Sequence, residues 1–219
     1  MNTPYIDIHT HSCGPEAAVK KICVYLLGRE KPVPDGSFVA GVHPWDVGGA
    51  DTSLLDFFIE SHPSVIGIGE IGLDFARKDA DKALQTEWLN KQLTIAGRLG
   101  LPVVLHCVKA YNEIQQALKK YHLKAVVFHG FIGSSELMQQ LVKQGYYLSF
   151  GEFSLHSPKT AEALEQIPLE RLFLETDDDP GADIHRIYGK VAVLRKITLE
   201  ELKMTIANNY KQVFDGELA

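Results

Sequence analysis

Eight short apolar runs, separated for most of the chain by segments of helical periodicity, constrain this fold more than any other feature. The runs are Tyr5–Ile8, Ile22–Leu27, Phe38–Val42, Val65–Ile68, Val103–Leu105, Val126–Phe128, Tyr146–Phe150 and Leu172–Leu174. Short apolar runs that alternate with helical periodicity read as strands. Helical stretches are expected at Thr52–Glu60, Lys82–Leu99, Asn112–Tyr121, Ser135–Gln144, Lys159–Gln166 and Thr198–Phe214, the last opening on a capping box, Thr198-Leu199-Glu200-Glu201. Strands alternating with helices predict an α/β fold with a parallel sheet, here a (β/α) barrel filling residues 1–219 as a single domain. The N-terminal part is short. Ser12–Lys21 and Gly28–Ser37 leave little room for a crossover helix, so the barrel is expected to be distorted there.

Metal-ligand side chains stand where these runs end. His9 and His11 close the first, His43 the third, Glu70 the fourth and His106 the fifth, while His129 and Asp177 follow the sixth and eighth. Strand side chains alternate, so His9 and His11 share a face. Core packing alone does not explain one ligand-type residue per strand end. Imidazole and carboxylate suit a catalytic Zn, Mn or similar ion that keeps a position open for water. His9, His11, Glu70, His106, His129 and Asp177 exceed the needs of one zinc and suit two divalent ions bridged by a carboxylate. His62, His122, His156 and His185 have no such setting and read as surface or loop histidines.

The net charge of −6 argues against a dedicated basic nucleic-acid surface, although a bound dication can draw phosphate locally. No membrane span or signal peptide is expected, because Asp7, His9 and His11 break the first apolar stretch. Cys13, Cys23 and Cys107 are odd in number and without paired spacing, which reads as reduced thiols in a cytoplasmic protein. Cys107 is expected to be a small buried side chain facing away from the site.

Several motifs resemble the TatD-related metal-dependent deoxyribonucleases of the amidohydrolase superfamily. They are Asp7-Ile8-His9-Thr10-His11, Gly41-Val42-His43-Pro44, Gly69-Glu70-Ile71-Gly72-Leu73-Asp74, Leu101 to His106, His129-Gly130-Phe131-Ile132-Gly133 and Glu175-Thr176-Asp177. The resemblance runs in order over nearly the whole chain. It implies a distorted TIM barrel and a divalent-metal-dependent hydrolase cleaving phosphodiester bonds in DNA, in the manner of a 3′-exonuclease. It also implies that His9, His11, Glu70 and Asp177 hold one metal, and Glu70, His106 and His129 the other. Asp177 can ligate and also take the proton of the attacking water. His43 is expected to contact the phosphate or protonate the leaving group, or else to support a ligand from behind or sit at the rim. Asp7, Asp74 and Glu175 are expected to support the ligands, Asp74 alternatively to cap the loop that follows Gly72.

Two departures bear on substrate. Val108 stands where the family usually carries Arg, and Lys109 replaces its charge but not its planar fork. Asp178-Asp179-Pro180 replaces the usual Ser-Pro, adding carboxylates that repel a polyanion; Arg186 and Tyr188 are expected to compensate in part. A hydrolase of another phosphoester, an amide or an aminoacyl ester, or a metal-binding scaffold without catalysis, would share the same ligands. No dedicated protein partner is evident.

Overall fold

The computed structural model describes residues 3–29, 31–49, 52–79 and 81–215. Its strands are β1 (Tyr5–Thr10), β2 (Val19–Leu26), β3 (Phe38–Gly41), β4 (Val65–Asp74), β5 (Val103–Val108), β6 (Val126–Phe128), β7 (Tyr147–Phe150) and β8 (Leu172–Leu174). They neighbour one another in the sheet in that order. The helices are α1 (Thr52–Ser61), α2 (Lys82–Leu99), α3 (Tyr111–Leu118), α4 (Ser135–Lys143), α5 (Glu152–His156), α6 (Pro158–Gln166), α7 (Ile184–Arg195) and α8 (Leu199–Phe214). No helix lies among the described residues between β1 and β2 or between β2 and β3, as the short N-terminal segments predict. Among the described residues, no helix is long and apolar enough to cross a membrane.

Four strands run beyond the sequence expectation: β1 reaches Thr10, β2 begins at Val19, and β4 and β5 extend furthest toward the site. β4 continues past Glu70 to Asp74, and β5 past His106 to Val108. Both polar residues therefore sit inside strands, where apolar patterning ends but backbone pairing does not. Two helices, α5 and α7, were not foreseen. Gly189 and the charged start of α7 obscure its period, yet Asp183 caps it by accepting from the His185 and Arg186 N–H groups.

The chain forms two compact units, residues 1–23 with 128–219, and residues 24–127. In the first, β1 pairs with β2 in parallel, and the register slips by one residue between Asp7 and Thr10. β7 pairs with β8 without a slip. The Tyr188 hydroxyl, fully buried on α7, bonds both the N–H and the carbonyl of Ile6 at 3.0 Å. Burial pushes its pKa up. Tyr188 is thus a core latch on β1, not the compensating substrate contact expected of it. At the start of α8, Thr198 Oγ1 accepts from the Glu201 N–H.

In the second unit, β4 pairs with β3 and β5 in parallel and carries a slip in register against each neighbour. The slip against β5 falls between Ile68 and Ile71, around Glu70. A bulge bends its strand and re-aims the side chain it carries. β1 and β4 each place a ligand candidate, His9 or Glu70, at such a point.

Helix α2, capped by Asp81 and ended by Gly100 in the left-handed conformation, buries a face that mixes Trp88, Leu89 and Leu93 with Gln85 and Gln92. Gln92 accepts from the Val42 N–H at 2.7 Å and donates to the Val42 carbonyl at 3.1 Å. Gln85 accepts from the Asp74 N–H at 2.9 Å. Two buried amides thus hold the backbone next to His43 and at Asp74. Leaving such backbone groups unpaired would cost about 1–3 kcal/mol each.

Gly72 tests this packing. It has φ of 146°, and a Cβ there would lie 1.9 Å from the His106 carbonyl oxygen. Gly72→Ala should lower stability by at least about 4 kcal/mol, a fall in Tm of roughly 10 °C. Gly100→Ala is the control: its φ is 64° but nothing lies within 4 Å of the added carbon, so only the left-handed strain of about 1–2 kcal/mol applies. Thermal melts decide it, and a Gly72→Ala protein that melts with the wild type sinks the argument.

Candidate metal centre

In the first unit the site is built on β1 and the segment after β8. The chain beyond Leu174 turns back on β1: the Asp177 N–H donates to the His9 carbonyl at 2.9 Å, and the His11 N–H to the Asp177 carbonyl at 3.1 Å. Asp177 takes φ of 57°, a left-handed conformation that Asp tolerates better than most residues. This turn brings its Oδ1 to 3.5 Å from His9 Nε2 and 3.7 Å from His11 Nε2. One donor atom from each of His9, His11 and Asp177 lies within 4.8 Å of the others, and the same holds for His129, Glu175 and Asp177. His129 stacks on His9 with centroids 3.8 Å apart, and its Nδ1 is 3.4 Å from Glu175 Oε1.

Behind these donors, Asp7 is fully buried. It accepts from the Thr176 N–H at 3.0 Å and from the Thr176 hydroxyl at 2.7 Å. Burial raises its pKa to about 7 despite both bonds. Buried Glu175 has one oxygen, Oε2, with no hydrogen-bond partner among the described residues. A buried carboxylate oxygen is costly unless a cation or donor meets it. Packed imidazoles and carboxylates with such an oxygen among them fit a divalent ion.

In the second unit, His43, Glu70 and His106 form another donor set within 4.8 Å. Glu70 Oε1 lies 2.8 Å from His106 Nδ1 and 3.2 Å from His43 Nε2. His43 Nδ1 accepts from the Trp45 N–H at 3.1 Å, so the ring proton belongs on Nε2, facing Glu70. Burial pulls the His43 pKa down, against the opposing pull of Glu70. This buried histidine is not at the rim. Asp74 Oδ2 accepts from Trp45 Nε1 at 2.8 Å and stands 3.6 Å from His106 Nε2, while Oδ1 accepts from the Ala76 N–H. Burial raises the Asp74 carboxyl, but the Trp45, Ala76 and His106 interactions outweigh it and hold its pKa below the usual range.

Comparison with known proteins joins this geometry to a family. The family model described as TatD related DNase matches residues 7–215. The chain belongs to that family. It is 31% identical over 194 residues to the uncharacterized metal-dependent hydrolase YabD of Bacillus subtilis, covering 80% of this chain and 75% of the relative. It is also 31% identical over 199 residues to the 3′-5′ ssDNA/RNA exonuclease TatD of Erwinia amylovora, covering 80% and 76%. The crystal structure of YjjV, a TatD homologue from Escherichia coli, superposes with a TM-score of 0.85 at 26% identity over 99% of this chain and 100% of that one. A TatD-family hydrolase structure from Entamoeba histolytica, 19% identical, shares the fold with a TM-score of 0.80 over 98% and 99%. The fold is the distorted (β/α) TIM barrel of TatD-related metal-dependent hydrolases.

Within this TatD-family chain the two departures find different settings. Val108 ends β5 opposite Asp74, and Lys109 beyond it is exposed with φ of 53°. Asp178 is exposed, whereas Asp179 accepts from the Gly181 N–H at 2.8 Å and serves its own turn. Arg186 donates to the Gly181 carbonyl at 2.8 Å and approaches Glu152 at 3.8 Å. Its guanidinium is engaged by its own loop. Cys107 is partly buried, and burial pushes its thiol up to about 12. His62 bonds the Phe58 carbonyl, while His156 and His185 pair with Glu152 and Glu16.

Sequence reasoning missed three residues. Thr176 ties Asp7 to Thr10, Gln92 pins the segment before His43, and Trp45 roofs His43 and Asp74. Glutamines on the apolar stripe of α2 were a readable signal for the second. Thr176 lay inside the Glu175-Thr176-Asp177 motif without a role of its own, and nothing local marks Trp45.

Proposed function

We propose that residues 1–219 work as one metal-dependent nuclease domain that shortens single-stranded DNA from its 3′ end with two divalent ions per chain. His9, His11, Glu70 and Asp177 would hold one ion, and Glu70, His106 and His129 the other. The observation that carries this reading is Asp177, whose Oδ1 lies 3.5 and 3.7 Å from two imidazoles in a chain of this family. The name of the Erwinia amylovora relative, a 3′-5′ ssDNA/RNA exonuclease, supports the substrate and direction. Bound divalent ions supply water of lowered pKa and neutralise charge on a phosphate oxygen.

This chain's residues do the remaining work. Asp177 accepts the proton of the attacking water. Asp7 holds Thr176, and with it the turn that aims Asp177. Glu175 orients His129, and His43 orients Glu70 through its Nε2–H. Lys109 is the exposed cation for a substrate phosphate, with Arg186 the weaker candidate because its loop engages it. The reading keeps the cytoplasm as compartment, supported by three cysteines outside any disulfide.

A second reading, hydrolysis of a small phosphoester, draws on the exposed Asp178, Val108 in place of Arg and the net charge of −6. A 5′-labelled single strand incubated with Mg, Mn or Zn separates the two. The nuclease should give a ladder shortening from the 3′ end that chelator abolishes. Turnover of small phosphodiesters alone would move the assignment to the second reading. Metal binding with no turnover would leave a scaffold.

A further inference from the structure

Trp45 stands half open beside His43 and His106, with 51% of its surface exposed. The chain has only two tryptophans, and the other, Trp88, is 3% exposed in the core. A large apolar ring left open loses the gain its burial would bring. Trp45 is nevertheless held at several points. Its N–H donates to His43 Nδ1 at 3.1 Å, and its indole N–H to Asp74 Oδ2 at 2.8 Å. The ring meets His43 edge-on at 4.7 Å between centroids and His106 at 6.0 Å. The Arg77 guanidinium sits over it at 5.1 Å and makes a two-point contact with Asp79.

We propose that Trp45 is a stacking platform for a nucleobase of the substrate strand, with Arg77 as the cation for its flanking phosphate. This rests on the nuclease reading above and adds how the strand is held. An aromatic face fixed in advance binds any base, because every base has a π-face and little side-chain freedom is lost on binding. The placement also suits the chemistry. A base on Trp45 is anchored on the ring that touches His43 and His106, so its phosphate is delivered next to Glu70. Arg77 supplies positive charge that Val108 does not, provided the phosphate displaces exposed Asp79 from its guanidinium. The acid cluster needs it, since the chain as a whole repels a polyanion.

Tryptophan fluorescence tests this without reference to turnover. Metal-loaded protein is titrated with a nuclease-resistant phosphorothioate single strand bearing bases, and with an abasic strand of equal phosphate count. The base-bearing strand should quench wild-type emission with saturation, and the abasic strand should not. Trp45→Phe should lose the quench, because buried Trp88 is shielded. By competition, Trp45→Phe should bind within a few-fold of wild type and Trp45→Ala about 5- to 100-fold more weakly. Both variants remove the bond to Asp74 equally, so a difference between them reports the ring face alone.

Equal weakening in both variants, or no quench by the base-bearing strand, overturns the platform. The ladder assay judges the nuclease reading separately: an active nuclease without quenching rejects only the platform. Quenching by the base-bearing strand, with no cleavage of the ordinary phosphodiester strand in any ion, keeps the platform and rejects the nuclease.

Discussion

Asp177→Asn should lower divalent-dependent turnover by about 10²- to 10⁴-fold, the range expected when a general base is removed, while the fold survives. The backbone explains why this substitution is a clean probe. Asp177 sits at φ of 57°, and Asn accepts that conformation as readily as Asp does. The amide keeps one oxygen facing His9 and His11, where Oδ1 now lies 3.5 and 3.7 Å from their Nε2 atoms, but loses the negative charge and with it the proposed proton-accepting role. Metal-free melting should therefore stay within a few degrees of wild type. Asp177→Ala should add roughly 1–2 kcal/mol of left-handed strain and melt earlier. Steady-state rates beside thermal melts check both statements. An Asp177→Asn enzyme with near-native turnover would remove Asp177 from the chemistry.

Glu70→Gln should fold normally, bind fewer than two metals per chain and lose most hydrolytic activity. Glu70 Oε1 faces His106 Nδ1 at 2.8 Å and the His43 Nε2–H at 3.2 Å, and a glutamine oxygen can still accept there. The charge is what goes. Two dications share one centre only if negative charge lies between them, and on the proposed ligand sets Glu70 is the shared carboxylate. Glu70→Ala should be worse. It leaves buried His43 and half-buried His106 without the Glu70 acceptor, at about 1–3 kcal/mol for the buried group. Elemental analysis beside a turnover assay decides the point: a Gln variant with two metals and native rates ends the bridging role.

Much of this was legible without coordinates. Short continuous apolar runs located all eight strands, β4 apart to within about three residues, since a parallel strand is buried on both faces. Ligand-type residues at the ends of those runs singled out His9, His11, Glu70, His106, His129 and Asp177, because a buried imidazole or carboxylate needs a partner to repay its desolvation. The thin segments after β1 and β2 announced the missing crossover helices.

Long-range contact decided the rest. β4 runs on through Glu70 because neighbouring strands supply hydrogen bonds beyond the apolar stretch, and the bulges in β1 and β4 arise from register against those neighbours. Tyr188 looked available to substrate in the sequence, yet it latches Ile6 from 182 residues away. The left-handed turn at Asp177 exists only because its backbone pairs with His9 and His11, and Trp45 is held by Asp74 from 29 residues on. Local sequence sets which faces are apolar and which residues can ligate, because both follow from side-chain chemistry and backbone period. Where a side chain points once its strand bulges, and which backbone group it meets, depends on partners remote in the chain, and only the tertiary structure brings those together.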